Sequence, residues 1–315
     1  SRSHTFGMNM LVGRHMVLSG CLSGMGHSGL QFALCRPARA IALPRSATPD
    51  YCPGLSVERV FVVPFGGVDA EPKVDPHRLI GAQRCDVLCR CIVAACLVLR
   101  RLRRDTTFIG ALAKPSWTTR IGQAMLDSLD GMLPAEAGPT GVLTVRGAEL
   151  DMLSSDEQYV GLMLAQVLAD CGSAGKPSMA AKKELGQLQG WSHHKVASLR
   201  ELLEGVLGEG PSAALPPPSP PRGTTRLLVL REDAPRSARS ELELARADGV
   251  DRLVFVLGDH VGLRPIALGR LVTEFGGRAV TLGETHLLTS QCISVLQFLV
   301  DSTWSAKTSP LRGSP

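Results

Sequence analysis

No run of 18 or more apolar residues occurs in the 315-residue chain. The longest apolar stretches are broken by Arg, Asp and Gly, so neither a membrane-spanning helix nor a membrane partner is expected. Acidic residues are missing from positions 1–49, where Arg2, Arg14, Arg36, Arg39 and Arg45 lie among many Ser, Gly and Ala; the first acid is Asp50. An Arg-rich, Ser-rich, acid-free start fits an organellar transit peptide or a disordered extension, and the segment 1–56 is assigned to one of these two. The expected location is the cytoplasm, or the mitochondrion or plastid if the extension is a transit peptide. No GxGxxG follows the first strand, which disfavours a nicotinamide-dependent oxidoreductase, and no GxxxxGK(S/T) is present, which removes the usual triphosphate loop. No internal repeat is visible. The net charge of +5 gives only a weak bias towards polyanionic partners.

What is present is enough for a folded enzyme-sized core, with 44% apolar residues. The nine cysteines are an odd number, and Cys85, Cys89, Cys91 and Cys96 crowd one apolar segment instead of spreading between loops. That usage favours reduced thiols. Cys85 and Cys89 share a helical face while Cys91 points elsewhere, so no metal is expected and the four are assigned to the core.

The first strand is expected at VERVFVVPF (57–65), where alternation passes into a continuous apolar run. RCDVLCRCIVAACLVLRRL (84–102) reads as a helix apolar nearly all round and therefore buried. DTTFIGALA (105–113) and TGVLTVRG (140–147) read as strands, and SSDEQYVGLMLAQVLADCG (154–172) as a helix with a Ser cap and a Gly stop. Ser192 similarly opens a helix that Gly208 or Gly210 closes. The polyproline stretch PSAALPPPSPPRG (211–223) suits neither helix nor central strand. After it come TTRLLVL (224–230), a polar segment, VDRLVFVLG (250–258), a helix near 264–276, RAVTLG (278–283) and a last helix over 286–301. Strands alternating with helices imply an α/β fold with a parallel sheet. Residues 57–303 form the domain and 304–315 a tail.

In such a sheet, ligands bind beyond the carboxyl ends of the strands. Leu230, Gly258 and Leu282-Gly283 lie at such ends, and on spacing alone these glycines fit a plain turn as well as a ligand contact. FVLGDHVGL (255–263) followed by VTLGETHLLTSQCI (280–293) resembles the C-terminal signature of the archaeal tRNA pseudouridine-54 N1-methyltransferases, members of the SPOUT superfamily. RCDVLCRCIV (84–93), LRRDTTFIG (102–110) and VRGAELDMLSSDEQ (145–158) resemble N-terminal motifs of that family in the same order. The chain departs from the family pattern at the polyproline insertion and at LGETHLL, where relatives carry a stretch richer in Pro or Lys.

The resemblance implies a SPOUT-type α/β domain with a C-terminal trefoil knot, acting as a homodimer. It implies S-adenosyl-L-methionine bound by Leu230, Gly258, Val280, Thr281, Leu282, Gly283, Glu284, Thr285 and Cys292. The reaction would be methylation of N1 of a pseudouridine in RNA, with tRNA favoured over rRNA. Asp86 matches an acidic family position and is the candidate base or substrate orienter; pairing with Arg90, four residues on, is its alternative role. Arg84, Arg90, Arg103 and Arg104 are candidates for RNA contact, or else solvate a helix end. Asp259 and His260 are assigned to scaffolding, not proton transfer, and Cys292 to packing or a cofactor contact. The rival class is a non-catalytic SPOUT domain that binds RNA as an assembly factor.

Overall fold

A computed structural model describes residues 57–65, 68, 74–76, 78–80, 84–99, 101–112, 140–170, 188–197, 199–208, 223–259, 269 and 271–305. The expected N-terminal extension, His260, positions 264–268 and 270 of the helix expected near 264–276, positions 306–315 of the expected tail and all but the last residue of the polyproline stretch lie outside them, while Trp304 and Ser305 belong to the last helix. Strand β1 (Glu58–Phe65) is buried along nearly its whole length, as a strand with neighbours on both edges and cover on both faces must be. It pairs in parallel with β4 (Thr106–Leu112) on one side and β8 (Val250–Val256) on the other. Next to β8 come β7 (Thr224–Leu230) and then β9 (Arg278–Val280), again parallel. On the far side of β4, β5 (Thr140–Arg146) and β6 (Trp191–Val196) add antiparallel pairs.

The sheet order is therefore β6-β5-β4-β1-β8-β7-β9, with β5 alone running against the rest. The expected parallel sheet is a mixed one. β4 and β5 run antiparallel in continuous register from Thr107 opposite Arg146 to Leu112 opposite Gly141.

Alternate residues of the strands feed two cores. Phe61 and Val63 face one side, where Phe61 stacks on Phe255 at 5.0 Å, and Val60 and Val62 face the other. The first side is covered by α1 (Cys85–Cys96), α2 (Glu157–Asp170), α4 (Ala238–Ala247) and α5 (Thr289–Ser305), through side chains such as Leu88, Leu164, Leu242 and Leu296. The second receives Leu202, Leu203 and Val206 of α3 (Leu199–Leu207). The four clustered cysteines are buried and free, as core residues.

Several boundaries differ from the sequence expectation. The first helix stops at Cys96, not 102; Leu97 turns extended, and β2 (Leu97–Val98) folds back on β3 (Arg101–Leu102) around Leu99 at φ 54°. Good helix formers are overruled here by tertiary contacts, since the reversal brings Arg103 beneath α5. Ser192 caps nothing: it lies in β6 opposite Thr144, and the helix begins only at Leu199. Gly208, at φ 81°, does close it. For α2 the working cap is Asp156, whose Oδ1 accepts from the Gln158 amide at 3.0 Å while Ser154 Oγ accepts from the Asp156 amide at 3.1 Å. The polar segment before β8 contains α4, opened by Ser237 accepting from the Ser240 amide.

Where the parallel strands begin, the sheet is sealed by charge. Arg59, 4% exposed, meets Asp105 at 3.2 Å, Asp301 at 2.7 Å and Gln297 Oε1 at 2.6 Å. Gln297 in turn donates to the Ala95 carbonyl at 2.8 Å and to Thr106 Oγ1 at 3.2 Å. A buried guanidinium is tolerated only with this degree of pairing.

Candidate functional site

The parallel strands all end on one edge, and beyond β7, β8 and β9 three segments meet there. Residues 231–237 follow β7, 257–259 follow β8, and 281–288 lead from β9 into α5. They are stitched by backbone. The Arg231 amide donates to the Val280 carbonyl at 2.9 Å, the Thr281 amide to the Arg236 carbonyl at 2.8 Å, and the Ala238 amide to the Thr281 carbonyl at 2.8 Å. Ser237 and Thr281 thereby form an isolated parallel bridge, a short extension of the sheet past its regular end.

Thr281 is the pivot of the turn that follows. Its Oγ1 donates to the Glu232 carbonyl at 3.0 Å and accepts from the Gly283 amide at 3.1 Å. Gly283 sits at φ 117° with open space where a side chain would project, a conformation only glycine adopts without strain. Leu230 and Leu282 are half-buried against the core, while Glu284 and Thr285 are exposed. At the same edge, Thr289 Oγ1 donates to the Gly258 carbonyl at 2.8 Å and fixes the start of α5 to the end of β8. Cys292, in the first turn of α5, is half-buried with its Sγ 3.8 Å from the Leu287 carbonyl. Leu230, Gly258, Val280 to Thr285 and Cys292 therefore gather at one edge, although they come from three separate loops.

The start of α1 reaches the same edge. Burial raises the Cys91 thiol to about 12; Cys91 and Cys292 pack in one core and Gln297 of α5 bonds the Ala95 carbonyl, so α1 lies beside α5. Asp86 lies ~7.5 Å further out along the axis at 1.5 Å per residue. It is 3% exposed and gripped from two sides. Arg84 donates to its two oxygens at 3.0 and 3.3 Å, and Arg90 donates to its Oδ2 and, at 3.3 Å, to its main-chain oxygen. Arg84 holds this geometry from a left-handed backbone at φ 48°. Burial alone would raise the Asp86 carboxyl, but the hydrogen bonds and charges of Arg84 and Arg90 outweigh it and hold the group below the ordinary carboxylate range. Glu157 of α2 also approaches Arg90 at 3.7 Å, so two arginines face two carboxylates here, with Arg84 and Arg90 43% and 35% exposed.

Arg103 and Arg104 are elsewhere. Both precede β4, at the edge where the parallel strands begin, a full strand length from Asp86. Arg103 makes two bonds to Asp301 at 3.0 and 2.7 Å and is 14% exposed. Arg104 donates to the carbonyls of Gly147 and Ala148 at 3.2 Å each, and to that of Leu150. Arg103 is tied into this part-buried pairing, whereas Arg104 bonds the turn carbonyls through Nη1 alone and is exposed.

The titratable groups offer little competing chemistry. Burial pushes Cys85 up to about 11 and Cys89 and Cys96 to about 12, so these thiols stay protonated, and no His/Cys/Asp/Glu group suited to a metal occurs among the described residues. Burial also raises Cys292. His286, in the loop before α5, pairs with Glu232 of the loop after β7 at 2.9 Å. Thr289 and the buried Glu241 of α4 were passed over in the sequence; a Ser cap with a carboxylate four residues later was the available signal for the helix bearing Glu241.

No protein-family profile matches the chain. Over 221 residues it is 24% identical to the tRNA (pseudouridine(54)-N(1))-methyltransferase of Methanosarcina mazei, a match covering 70% of this chain and 79% of that protein. Among solved structures, Archaeoglobus fulgidus Nep1 bound to S-adenosylhomocysteine aligns with a TM-score of 0.44 at 14% identity, over 79% of this chain and 100% of that one. By sequence, the chain is a distant relative of a pseudouridine N1-methyltransferase.

Proposed function

We propose that the protein is an S-adenosylmethionine-dependent RNA methyltransferase that methylates N1 of pseudouridine, in tRNA at position 54. The observation that carries this reading is the meeting of Leu230, Gly258, Val280 to Thr285 and Cys292 at one sheet edge, opposite the Arg84, Asp86 and Arg90 trio. The site suits the donor. Half-buried Leu230 and Leu282 offer apolar walls for an adenine, the loops offer backbone groups, and the open space at Gly283 admits close approach. When bound, S-adenosylmethionine supplies a methyl group on a positively charged sulfur.

The chain's own residues then position and orient. Arg84 and Arg90 present donors that suit an RNA phosphate, fixing register without reading sequence. Asp86, kept ionised by both, is a weak base and acts as the orienter of the acceptor nucleotide. The N1 proton leaves to water as the nitrogen takes the methyl, and the sulfur retains the bonding electron pair. Alignment of acceptor and donor supplies the larger share of the acceleration.

A homodimer and a C-terminal knot belong to the same reading. Leu244 of α4 and Phe298 of α5 stand 48% and 64% exposed on the helical face, which supports a subunit interface there. The test is calorimetry with S-adenosylmethionine followed by nucleoside mass spectrometry of RNA incubated with both. Methylated pseudouridine is the expected product. Donor binding with no methylated nucleoside would favour the non-catalytic RNA-binding alternative, and absent donor binding would overturn the site.

A further inference from the structure

Glu241 is fully buried, on a helix whose other inward residues are Ala238, Leu242 and Ala245. Three arginines converge on it from three different elements. Arg226 of β7 lies 3.5 Å from Oε1, Arg278 of β9 bonds the same oxygen, and Arg236 of the loop after β7 lies 3.2 Å from Oε2. Arg226 has a second partner in Asp248 at 2.6 Å. Arg236 is the informative member. Its main-chain oxygen accepts the Thr281 amide, one of the hydrogen bonds that join the two loops of the candidate donor site, while its side chain ends on Glu241. Arg278 comes three residues before Thr281 on the other strand of that junction.

One carboxylate therefore joins the loop after β7 to the strand that leads into the other loop. We infer that Glu241 is a positioning residue for the methyl donor, a clamp that sets the spacing of segments 231–237 and 281–283 without touching the ligand. The inference rests on the methyltransferase reading for the identity of the ligand, though not for the existence of the clamp. Burying a carboxylate completely is costly, and hydrophobic replacements of similar size commonly give equal or greater stability. The pairing of this carboxylate with guanidiniums from the loop after β7 and from the strand that leads into the second loop gives the burial a functional account.

The experiment compares the full chain with Glu241→Gln, which removes the charge and keeps the volume. Calorimetry with S-adenosylhomocysteine should show affinity reduced roughly five- to tenfold, at the lower end of coupling between linked sites. In turnover, the KM for the donor should rise by the same factor, with kcat at saturating donor and the KM for RNA unchanged. Amide hydrogen exchange at Ala238 and Thr281 should accelerate while the amides of β1 and β8 keep their protection. Wild-type affinity, or faster exchange spread equally over the whole sheet, would overturn the clamp. Should Glu241→Gln not fold, Arg236→Gln serves instead, because that side chain is 58% exposed and its loss leaves Glu241 paired with Arg226 and Arg278. The same changes are expected there, and their absence overturns the proposal. Failure of the unmodified chain to bind the probe would sink the methyltransferase reading and the donor role with it; the exchange at Ala238 and Thr281 would still decide whether Glu241 holds the two loops.

Discussion

Replacing Asp86 by Asn separates the two roles open to this carboxyl. The substitution keeps the shape and removes the charge that two guanidiniums share at 3% exposure. Hydrogen bonds to charged groups contribute about 1.5–3 kcal/mol each. Arg84 and Arg90 are 43% and 35% exposed, so water takes up much of what they lose. A net destabilisation of about 1–2 kcal/mol is expected after that discount. It should appear in urea denaturation at pH 7 as a lower midpoint with an unchanged slope. The pH dependence carries the sign. Because the folded pKa of Asp86 is depressed, its stabilisation is present above the unfolded value of about 3.9 and is lost as pH falls through the folded pKa. The difference between wild type and Asp86→Asn should therefore shrink below pH 4. Methyl transfer by the wild type should stay level between pH 6 and 8 so far as Asp86 is concerned, since the group is ionised throughout. Equal stability of the two proteins at pH 7, or a gap that widens in acid, would refute the assignment of Asp86 as an ionised orienter.

Three further outcomes follow from the same geometry. The hydrogen bond to Glu232 raises the pKa of His286, so the pair is favoured below about pH 6.5 and is lost as pH rises through the folded value; an NMR titration should place His286 above that of a free imidazole, and Glu232→Gln should bring it back. Gly283→Val puts a branched side chain at φ 117°, a strain of about 1–3 kcal/mol; donor affinity should fall in calorimetry while the rest of the sheet keeps its exchange protection, and unaltered affinity would count against this turn as a donor wall. Iodoacetamide at pH 8 should leave Cys85, Cys89, Cys91 and Cys96 unmodified in the native protein, as peptide mass spectrometry would show, because burial keeps these thiols protonated and covered.

The central strands were legible because burial on both faces leaves a plain mark: 57–65, 105–113, 224–230 and 250–258 are apolar runs, and β1, β4, β7 and β8 lie within them. The edges were less so. WSHHKV carries polar side chains suited to a surface helix start, and it is a strand only because β5 offers it a ladder. RLR at 101–103 reads as the end of a helix until Asp301 is known to lie opposite Arg103, a contact 198 residues away that no local window contains. The same limit governed the site. Gly258 and Leu282-Gly283 were visible as strand ends, but the division of the arginines was not. Arg84 and Arg90 share a carboxylate at one edge, whereas Arg103 and Arg104 satisfy partners at the other, and all four look alike in sequence.

The network around Arg59 orders events in time. Arg59 belongs to the first strand of the sheet, yet its partner Gln297 is 238 residues further along, and Asp301 later still. As synthesis proceeds from the N-terminus, a central strand emerges early carrying a charge that Asp105 can meet soon after, but whose remaining partners come only with α5. Until α5 docks, closing the sheet around β1 would leave a buried guanidinium with Asp105 as its single acidic partner, so early collapse is penalised relative to closure with α5 in place. Contacts of such long sequence separation also slow folding. A chain cut before residue 297 should accordingly remain loosely collapsed, and the last helix acts as the latch of the whole domain.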